Sequence, residues 1–460
     1  MEVGRREIRI SHVKPMKTYD AIIIGSGQAG TPLAKKLALA GYKTALIEKK
    51  YIGGTCTNRG CTPTKTMIAS ARLAYQFRNS KPFGIETALV AVDIDKVIER
   101  KDQVVESFRG GAIRSLEKVP GLDIYYGVAS FTGHKTIKVV NQGTKDLIFR
   151  ADLIFINAGA KPSIPEIKGI AEVNYFTSTT ILDLKQIPEH LLIIGGSYIA
   201  LEFAQMYRRF GSKVTVLELA ADFLEKEDED VAAEIQIILE DEGINILTSA
   251  EISSIKCNAD GSLRTIMSVE GRRKLLTCSH VLVAVGRTPQ TKALCLEKAG
   301  VKTTPEGFIK VNGKLETNIK GTYALGDIKG GPAFTHISYN DHLVILDNLL
   351  KNKSHNIKNR LVPYCMFIDP QLGRIGITEK EAKAQGLKYR VATLKMTRSS
   401  RAIETGDTRG MMKAIVDKKT GLILGAAILC TDGGEVMSVL EMAMMGKITW
   451  QQIRSGIFAH

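Results

Sequence analysis

Two cysteines five positions apart, Cys56 and Cys61, stand in the stretch Gly53-Gly54-Thr55-Cys56-Thr57-Asn58-Arg59-Gly60-Cys61-Thr62-Pro63-Thr64-Lys65. Four intervening residues close a loop small enough for a Cys56–Cys61 disulfide. Apolar residues at Met67, Ile68, Ala69, Leu73 and Ala74 predict a helix from Thr64 to Phe77, and Pro63 suits its first turn. Both sulfurs then lie at or near a helix N-terminus, where the dipole favours thiolate over thiol. That is the chemistry of a dithiol that cycles between reduced and oxidised forms. The same spacing also suits two unrelated buried cysteines, so the surrounding elements must decide.

Those elements begin with Tyr19-Asp20-Ala21-Ile22-Ile23-Ile24, a buried-strand pattern followed by Gly25-Ser26-Gly27-Gln28-Ala29-Gly30 and a helical run from Thr31 to Ala40. A second strand, Lys43 to Ile47, ends in Glu48. This is GxGxxG in the context it requires: strand, glycine turn, helix, second strand, acidic end. Gly25 makes the turn, Gly27 admits a pyrophosphate close to the backbone, Gly30 allows tight helix–strand packing, and Glu48 can accept from a ribose diol. The pattern recurs. Leu191 to Ile194 leads into Gly195-Gly196-Ser197-Tyr198-Ile199-Ala200, a helix through Phe210, and a strand ending in Glu218. Ser197 stands where the second glycine usually does, and its Cβ crowds the phosphates slightly. Two dinucleotide folds in one chain predict an α/β protein with two bound nucleotides.

With 460 residues the chain exceeds a single core, and two to four domains are expected. Hydrophobic content of 44% and charged content of 24% are those of an ordinary globular protein. No apolar run is long enough to span a bilayer, so no membrane partner is expected and a cytoplasmic location is. The net charge of +15 is scattered without a nucleic-acid motif, and we read it as suiting anionic dinucleotides rather than nucleic acid. Seven cysteines with one close pair do not make a secreted disulfide framework. Residues 1–15 are basic, lack an apolar core, and are expected to be a disordered leader outside the fold.

Taken together, the cysteine pair and the two nucleotide motifs resemble the class I pyridine nucleotide–disulfide oxidoreductases, the family of dihydrolipoyl dehydrogenase, glutathione reductase and mercuric reductase. A further family signature, Thr317-Asn318-Ile319-Lys320-Gly321-Thr322-Tyr323-Ala324-Leu325-Gly326-Asp327, is present. The resemblance implies two Rossmann-like FAD- and NAD(P)-binding domains plus a C-terminal α+β dimerisation domain. Expected boundaries are 16–165 and 287–355 for the FAD domain, 166–286 for the NAD(P) domain and 360–460 for dimerisation. FAD would lie on Gly25, Gly27, Gly30, Glu48, Gly54, Thr55, Lys65 and Asp327. The nicotinamide cofactor would lie on Gly195, Ser197, Tyr198 and Glu218, with Arg287 flanking. Lys65 matches the lysine beside the flavin N5, Glu202 its carboxylate partner, and Tyr198 the aromatic gate over the nicotinamide. Cys61 would face the flavin and Cys56 the substrate. His460, in Ile457-Phe458-Ala459-His460, matches the histidine that relatives insert into the other subunit's site as acid–base. The sequence ends there, before the family's orienting glutamate, so the dimerisation domain is expected to be incomplete at that end.

Glu218 repels a 2′-phosphate and accepts from a free 2′-hydroxyl, which favours NADH; Arg208, Arg209 and Lys213 nearby keep NADPH open. The substrate class expected is a small disulfide or dithiol such as lipoamide, reduced by a homodimer. The alternative is mercuric or other metal-ion reduction, suggested by the Thr62-Pro63-Thr64-Lys65-Thr66 run. A flavin-binding protein without turnover is the third reading. Met437, Met442, Met444 and Met445 are expected to pack in a core or dimer interface, and no metal site is expected.

Overall fold

The structure, a computed structural model, describes residues 16–88, 90–141 and 146–459. The chain divides into two compact units, each assembled from three segments. The first comprises the chain up to Thr55, Arg109–Ala160 and Pro289–Lys358; the second comprises Cys56–Phe108, Lys161–Thr288 and the chain from Asn359 onward. The leader and His460 lie outside the described residues.

In the first unit the opening strand, Met16–Ile24, runs parallel to Thr44–Glu48 on one side and to Leu147–Ile156 on the other. Ile22, Ile23 and Ile24 are buried, as a parallel strand covered on both faces requires. One face packs Ala21, Ile23 and Leu46 against Leu33 and Leu37 of helix Gly30–Leu39 and Val344 and Ile345 of helix Thr335–Leu350. The other packs Ile22, Ile24 and Ile47 against Phe131 and Ile137 of an antiparallel hairpin. Strand Leu147–Ile156 is long enough to serve two partners along one edge. Its first half pairs antiparallel with Thr136–Val140 and its last three residues pair parallel with Thr322–Ala324. Thr322–Ala324 thereby joins Leu122–Tyr126, Thr44–Glu48, Met16–Ile24 and Leu147–Ile156 as a fifth parallel strand. All five finish at one end of the sheet, and there the chain presents Gly25, Glu48, Asn157 and Gly326-Asp327, the position where open α/β sheets bind ligands.

The second unit holds a five-stranded parallel sheet in the order Ile244–Leu247, Lys213–Leu217, His190–Ile194, His280–Val283, Phe176–Thr177. Helix Tyr198–Phe210 follows its central strand. Against that helix packs Cys61–Arg78, through Met67 and Ala71 among Leu201, Phe203 and Ala204. A second, antiparallel sheet of five strands carries the C-terminal region; the sequence predicts strands over 410–416 and 422–429 there, and the observed strands Met411–Asp417 and Ile423–Cys430 each lie one residue later. Helix Gly433–Met445 lies so close on this sheet that a Cβ at Gly373 would sit 2.2 Å from the carbonyl oxygen of Gly433. The methionines of that helix divide: Met437 is buried, whereas Met442 and Met445 are 66% and 64% exposed beside exposed Val439. Among the described residues no helix is long and apolar enough to cross a membrane.

Candidate functional site

The two glycine loops are the same device built twice. In the first, Gly25 takes a positive φ of 99° and its N–H donates to the Ile47 carbonyl at 2.8 Å. In the second, Gly195 has φ 106° and donates to the Leu217 carbonyl at 2.8 Å. A Cβ at Gly25 would meet the Asn157 carbonyl at 2.3 Å, and one at Gly195 the Ala284 carbonyl at 2.6 Å, so both turns exclude any other residue. Gly30 is equally constrained, because its Cβ would fall 2.0 Å from the Gly25 carbonyl. The expectation that this glycine permits close helix–strand packing has a direct geometric counterpart.

The strand-end acids repeat with the same precision of role. Glu48 Oε2 accepts from the Ser26 N–H at 3.0 Å and the Ser26 hydroxyl at 2.7 Å, while Oε1 accepts from the Lys50 N–H at 2.9 Å. Glu218 Oε2 accepts from the Gly196 N–H at 2.8 Å and Oε1 from the Ala220 N–H at 2.9 Å. Each carboxylate is thus fixed over its loop and keeps acceptor capacity for a ribose: one lone-pair direction on Glu48 Oε1, one on each oxygen of Glu218. Gly196 is required for this, since its Cβ would lie 2.7 Å from Glu218 Oε2.

The first loop has a brace that the motif does not predict. Asn157 Oδ1 accepts from the Gly30 N–H at 2.9 Å, and its Nδ2 donates to the Leu325 carbonyl at 2.9 Å. One side chain therefore ties the glycine loop to the segment leading into Asp327. Beyond it, the Gly326 N–H donates to Asp341 Oδ2 at 2.8 Å, and the buried Asp341 pairs with Lys329 at 3.3 Å. Only a weak signal for Asn157 exists in the sequence: both sheets end in a short x-x-Gly run, Asn157-Ala158-Gly159 and Ala284-Val285-Gly286. Gly53 and Gly54 lie against the same loop. The Gly53 N–H donates to the Ser26 carbonyl at 3.1 Å, and a Cβ at Gly54 would sit 2.6 Å from Gly27 Cα. These residues fit an FAD: close backbone approach at Gly27, an acceptor at Glu48, and Asp327 at the same sheet end.

The cysteines lie on two helical segments. Cys56 is half-buried within Gly54–Arg59, and Cys61 is exposed as the first residue of Cys61–Arg78, which starts three residues earlier than the apolar spacing predicts. Gly60 breaks the helix between them, with φ −141° and ψ −115°. Lys65, one turn after Cys61, reaches helix Tyr198–Phe210: its Nζ lies 2.6 Å from Glu202 Oε2. Glu202 is 3% exposed and the Lys65 side chain 30%. The other oxygen, Oε1, accepts from the Phe367 N–H at 2.9 Å, and the Phe367 ring lies 4.5 Å below the Lys65 ammonium. Phe367 lies in the run 362–370, which resembles the start of the family's dimerisation domain, but nothing in the sequence singles out its contact with Lys65. Tyr198 opens the helix that bears Glu202, half-buried, directly after exposed Ser197. Arg287 is half-buried in the short strand Arg287–Pro289. The structure therefore joins Lys65 to Glu202 and gathers Ser197, Tyr198 and Glu218 at one loop.

Three other cysteines stand apart chemically. Burial pushes the Cys278 thiol up to about 12 and Cys430 to about 11; burial and then the Glu202 carboxylate push Cys365 to about 12. They stay protonated thiols at neutral pH and are poor nucleophiles. Among the described residues no group of three or more His, Cys, Asp or Glu could hold a metal ion.

This arrangement of paired nucleotide loops, acids and a cysteine helix belongs to a known class. Residues 19–341 match the pyridine nucleotide-disulphide oxidoreductase family and residues 362–460 its dimerisation domain, and the chain is a member of that family. It is 38% identical over 451 residues to the probable pyridine nucleotide-disulfide oxidoreductase RclA of Escherichia coli K12, covering 97% of each chain. A mercuric reductase of Staphylococcus aureus is 33% identical, with 95% of this chain and 78% of that protein covered. A dihydrolipoyl dehydrogenase of Thermus scotoductus is also 33% identical, with 93% and 91% covered. The fold superimposes on the Cu(II) complex of the HOCl-induced flavoprotein disulfide reductase RclA with a TM-score of 0.89 and 37% identity, covering 97% of both chains. The protein is thus a mixed α/β oxidoreductase of the flavin- and NAD(P)-dependent disulfide reductase family, with a C-terminal dimerisation domain.

Proposed function

We propose that this protein is an FAD-dependent NADH:disulfide oxidoreductase that acts as a homodimer on a small disulfide or dithiol of the lipoamide type. The observation that carries the proposal is the placement of Cys61 one turn ahead of Lys65, whose ammonium is held by Glu202 on the helix that opens at the second nucleotide loop. Thiol and nucleotide loop are thereby linked through two side chains. FAD, held by Gly25, Gly27, Gly30, Glu48, Gly54, Thr55 and Asp327, would carry an electron pair from the nicotinamide to the cysteine disulfide.

The chain's own residues do the rest. The Cys56 thiolate attacks one sulfur of the substrate disulfide, forming a mixed disulfide and releasing the first product thiol. The Cys61 thiolate then attacks Cys56, forming the Cys56–Cys61 disulfide and releasing the second. The two product thiols take up two protons, handled by His460 contributed from the second subunit. Lys65 favours the thiolate form of Cys61 by charge, and Glu202 holds Lys65 in place. Tyr198 would cover the nicotinamide, Ser197 and Gly195 would hold the pyrophosphate, Glu218 would accept from the ribose, and Arg287 would flank it. The exposed Val439, Met442 and Met445 face is where the second subunit would dock.

A second reading, reduction of a soft metal ion, is favoured by the likeness to mercuric reductases and to RclA solved as a Cu(II) complex. In that reading the Cys56 and Cys61 thiolates take the ion. A turnover screen separates the two. The full chain, loaded with FAD, is offered NADH or NADPH against lipoamide, glutathione disulfide, Hg²⁺, Cu²⁺ and quinones. The proposal expects NADH-driven disulfide reduction. Turnover with the metal ions alone supports the second reading, and a flavin that no nicotinamide bleaches supports a protein without turnover.

A further inference from the structure

We infer that Phe367 is a positioning residue that fixes the Lys65 ammonium against Glu202, an assignment that rests on the proposed action of Lys65 at the flavin. Lysine ends in a compact charge on a flexible four-carbon stem, so one ion pair leaves it free to swing. Glu202 supplies that pair at 2.6 Å. Phe367 supplies two further restraints from one residue: its N–H holds the second carboxylate oxygen at 2.9 Å, and its ring lies 4.5 Å beneath the ammonium. A cation over a partly desolvated aromatic face is attracted by the ring quadrupole.

A ring can position a charge only if its own backbone is fixed, and here it is. Helix Tyr198–Phe210 grips the segment from Phe367 to Asp369 at three points along one face. Glu202 takes the Phe367 N–H; Gln205 accepts from the Asp369 N–H at 2.7 Å and donates to the Asp369 carbonyl at 2.9 Å; Arg209 pairs with the Asp369 carboxylate at 2.7 Å. Positions 202, 205 and 209 share a helix face by their spacing. The helix that follows the nucleotide loop therefore holds the platform on which Lys65 rests.

The test has two arms on the FAD-loaded protein. In the first, acylation of Lys65 by a small anhydride is followed by peptide mass spectrometry. Phe367→Leu keeps the N–H and most of the volume but loses the π-face, and should acylate at Lys65 roughly tenfold faster, with Phe367→Tyr returning to the native rate. In the second, flavin bleaching by NADH is followed by stopped flow. Phe367→Leu should slow it roughly tenfold at unchanged KM, Phe367→Tyr should restore it, and in a Lys65→Met background the Leu change should alter it less than twofold. Native acylation and bleaching in Phe367→Leu would overturn the inference. So would equal slowing with and without Lys65, because the ring would then act by another route. If Lys65→Met alone bleaches at the native rate, the proposed role of Lys65 fails, while the acylation arm still decides whether the ring holds the ammonium.

Discussion

The Lys65–Glu202 pair should respond asymmetrically to removal of its two halves, because burial is asymmetric. The Glu202 side chain is 3% exposed and that of Lys65 is 30%. Breaking a fully buried pair by deleting one partner costs about 3–5 kcal/mol, chiefly for the charge left behind. Lys65→Met strands a carboxylate almost without water, with the Phe367 N–H remaining, and should cost roughly 3–4 kcal/mol. Glu202→Gln strands an ammonium that still reaches solvent, and should cost about 2 kcal/mol. The double variant leaves no charge and should lose only about 1–2 kcal/mol, far less than the sum. Trp450 is the chain's one tryptophan and lies in helix Trp450–Ser455 of the unit that holds the pair, so urea unfolding read by its fluorescence is the assay. Additive losses, or a larger loss for Glu202→Gln than for Lys65→Met, would refute the reasoning from burial.

Three further outcomes follow from the same structure. Asn157→Ala leaves the Gly30 N–H and Leu325 carbonyl without this partner, and FAD affinity measured by flavin fluorescence should fall roughly 10- to 100-fold; unchanged affinity would remove Asn157 from the site. Glu218 at the strand end should make kcat/KM higher for NADH than for NADPH, and Glu218→Arg should shift the ratio toward NADPH; an initial NADPH preference would contradict the ribose reading. Burial pushes the Glu227 carboxyl, beside Arg374, up from 4.5 to about 7. The folded state then binds the extra proton between those values, so its stability falls as pH rises from 4.5 to 7. Melting curves should show Glu227→Gln gaining on the native protein by about 3 kcal/mol across that window, and a gap independent of pH would contradict it.

What could be read from the sequence was what is local. Gly25, Gly30 and Glu48 lie within one strand–turn–helix–strand unit, and their spacing is enough to mark them. The same holds for Gly195 and Glu218, and for strands Met411–Asp417 and Ile423–Cys430, whose apolar content marks them within a residue. The helix bearing Cys61 was legible only in its apolar part, since the polar turn from Cys61 to Thr64 has no periodicity to reveal it. Asn157 was only faintly marked, by the x-x-Gly run it opens, because it meets Gly30 from 127 positions away. The role of Phe367 was hidden although its run 362–370 was recognisable: it depends on a helix grip at Glu202, Gln205 and Arg209 that no short window contains. Local motifs announce where ligands bind, whereas the groups that hold catalytic side chains still are set by tertiary packing.

The most direct test of the central claim separates the two sulfurs. After reduction by NADH, the FAD-loaded protein should show long-wavelength absorbance from a thiolate beside the flavin. Cys56→Ser should keep that band, because Cys61 retains its thiolate near Lys65, while disulfide reduction stops. Cys61→Ser should lose both band and turnover. A band lost in Cys56→Ser and kept in Cys61→Ser would reverse the two roles, and normal disulfide turnover in both variants would show that the pair is structural and contradict the account.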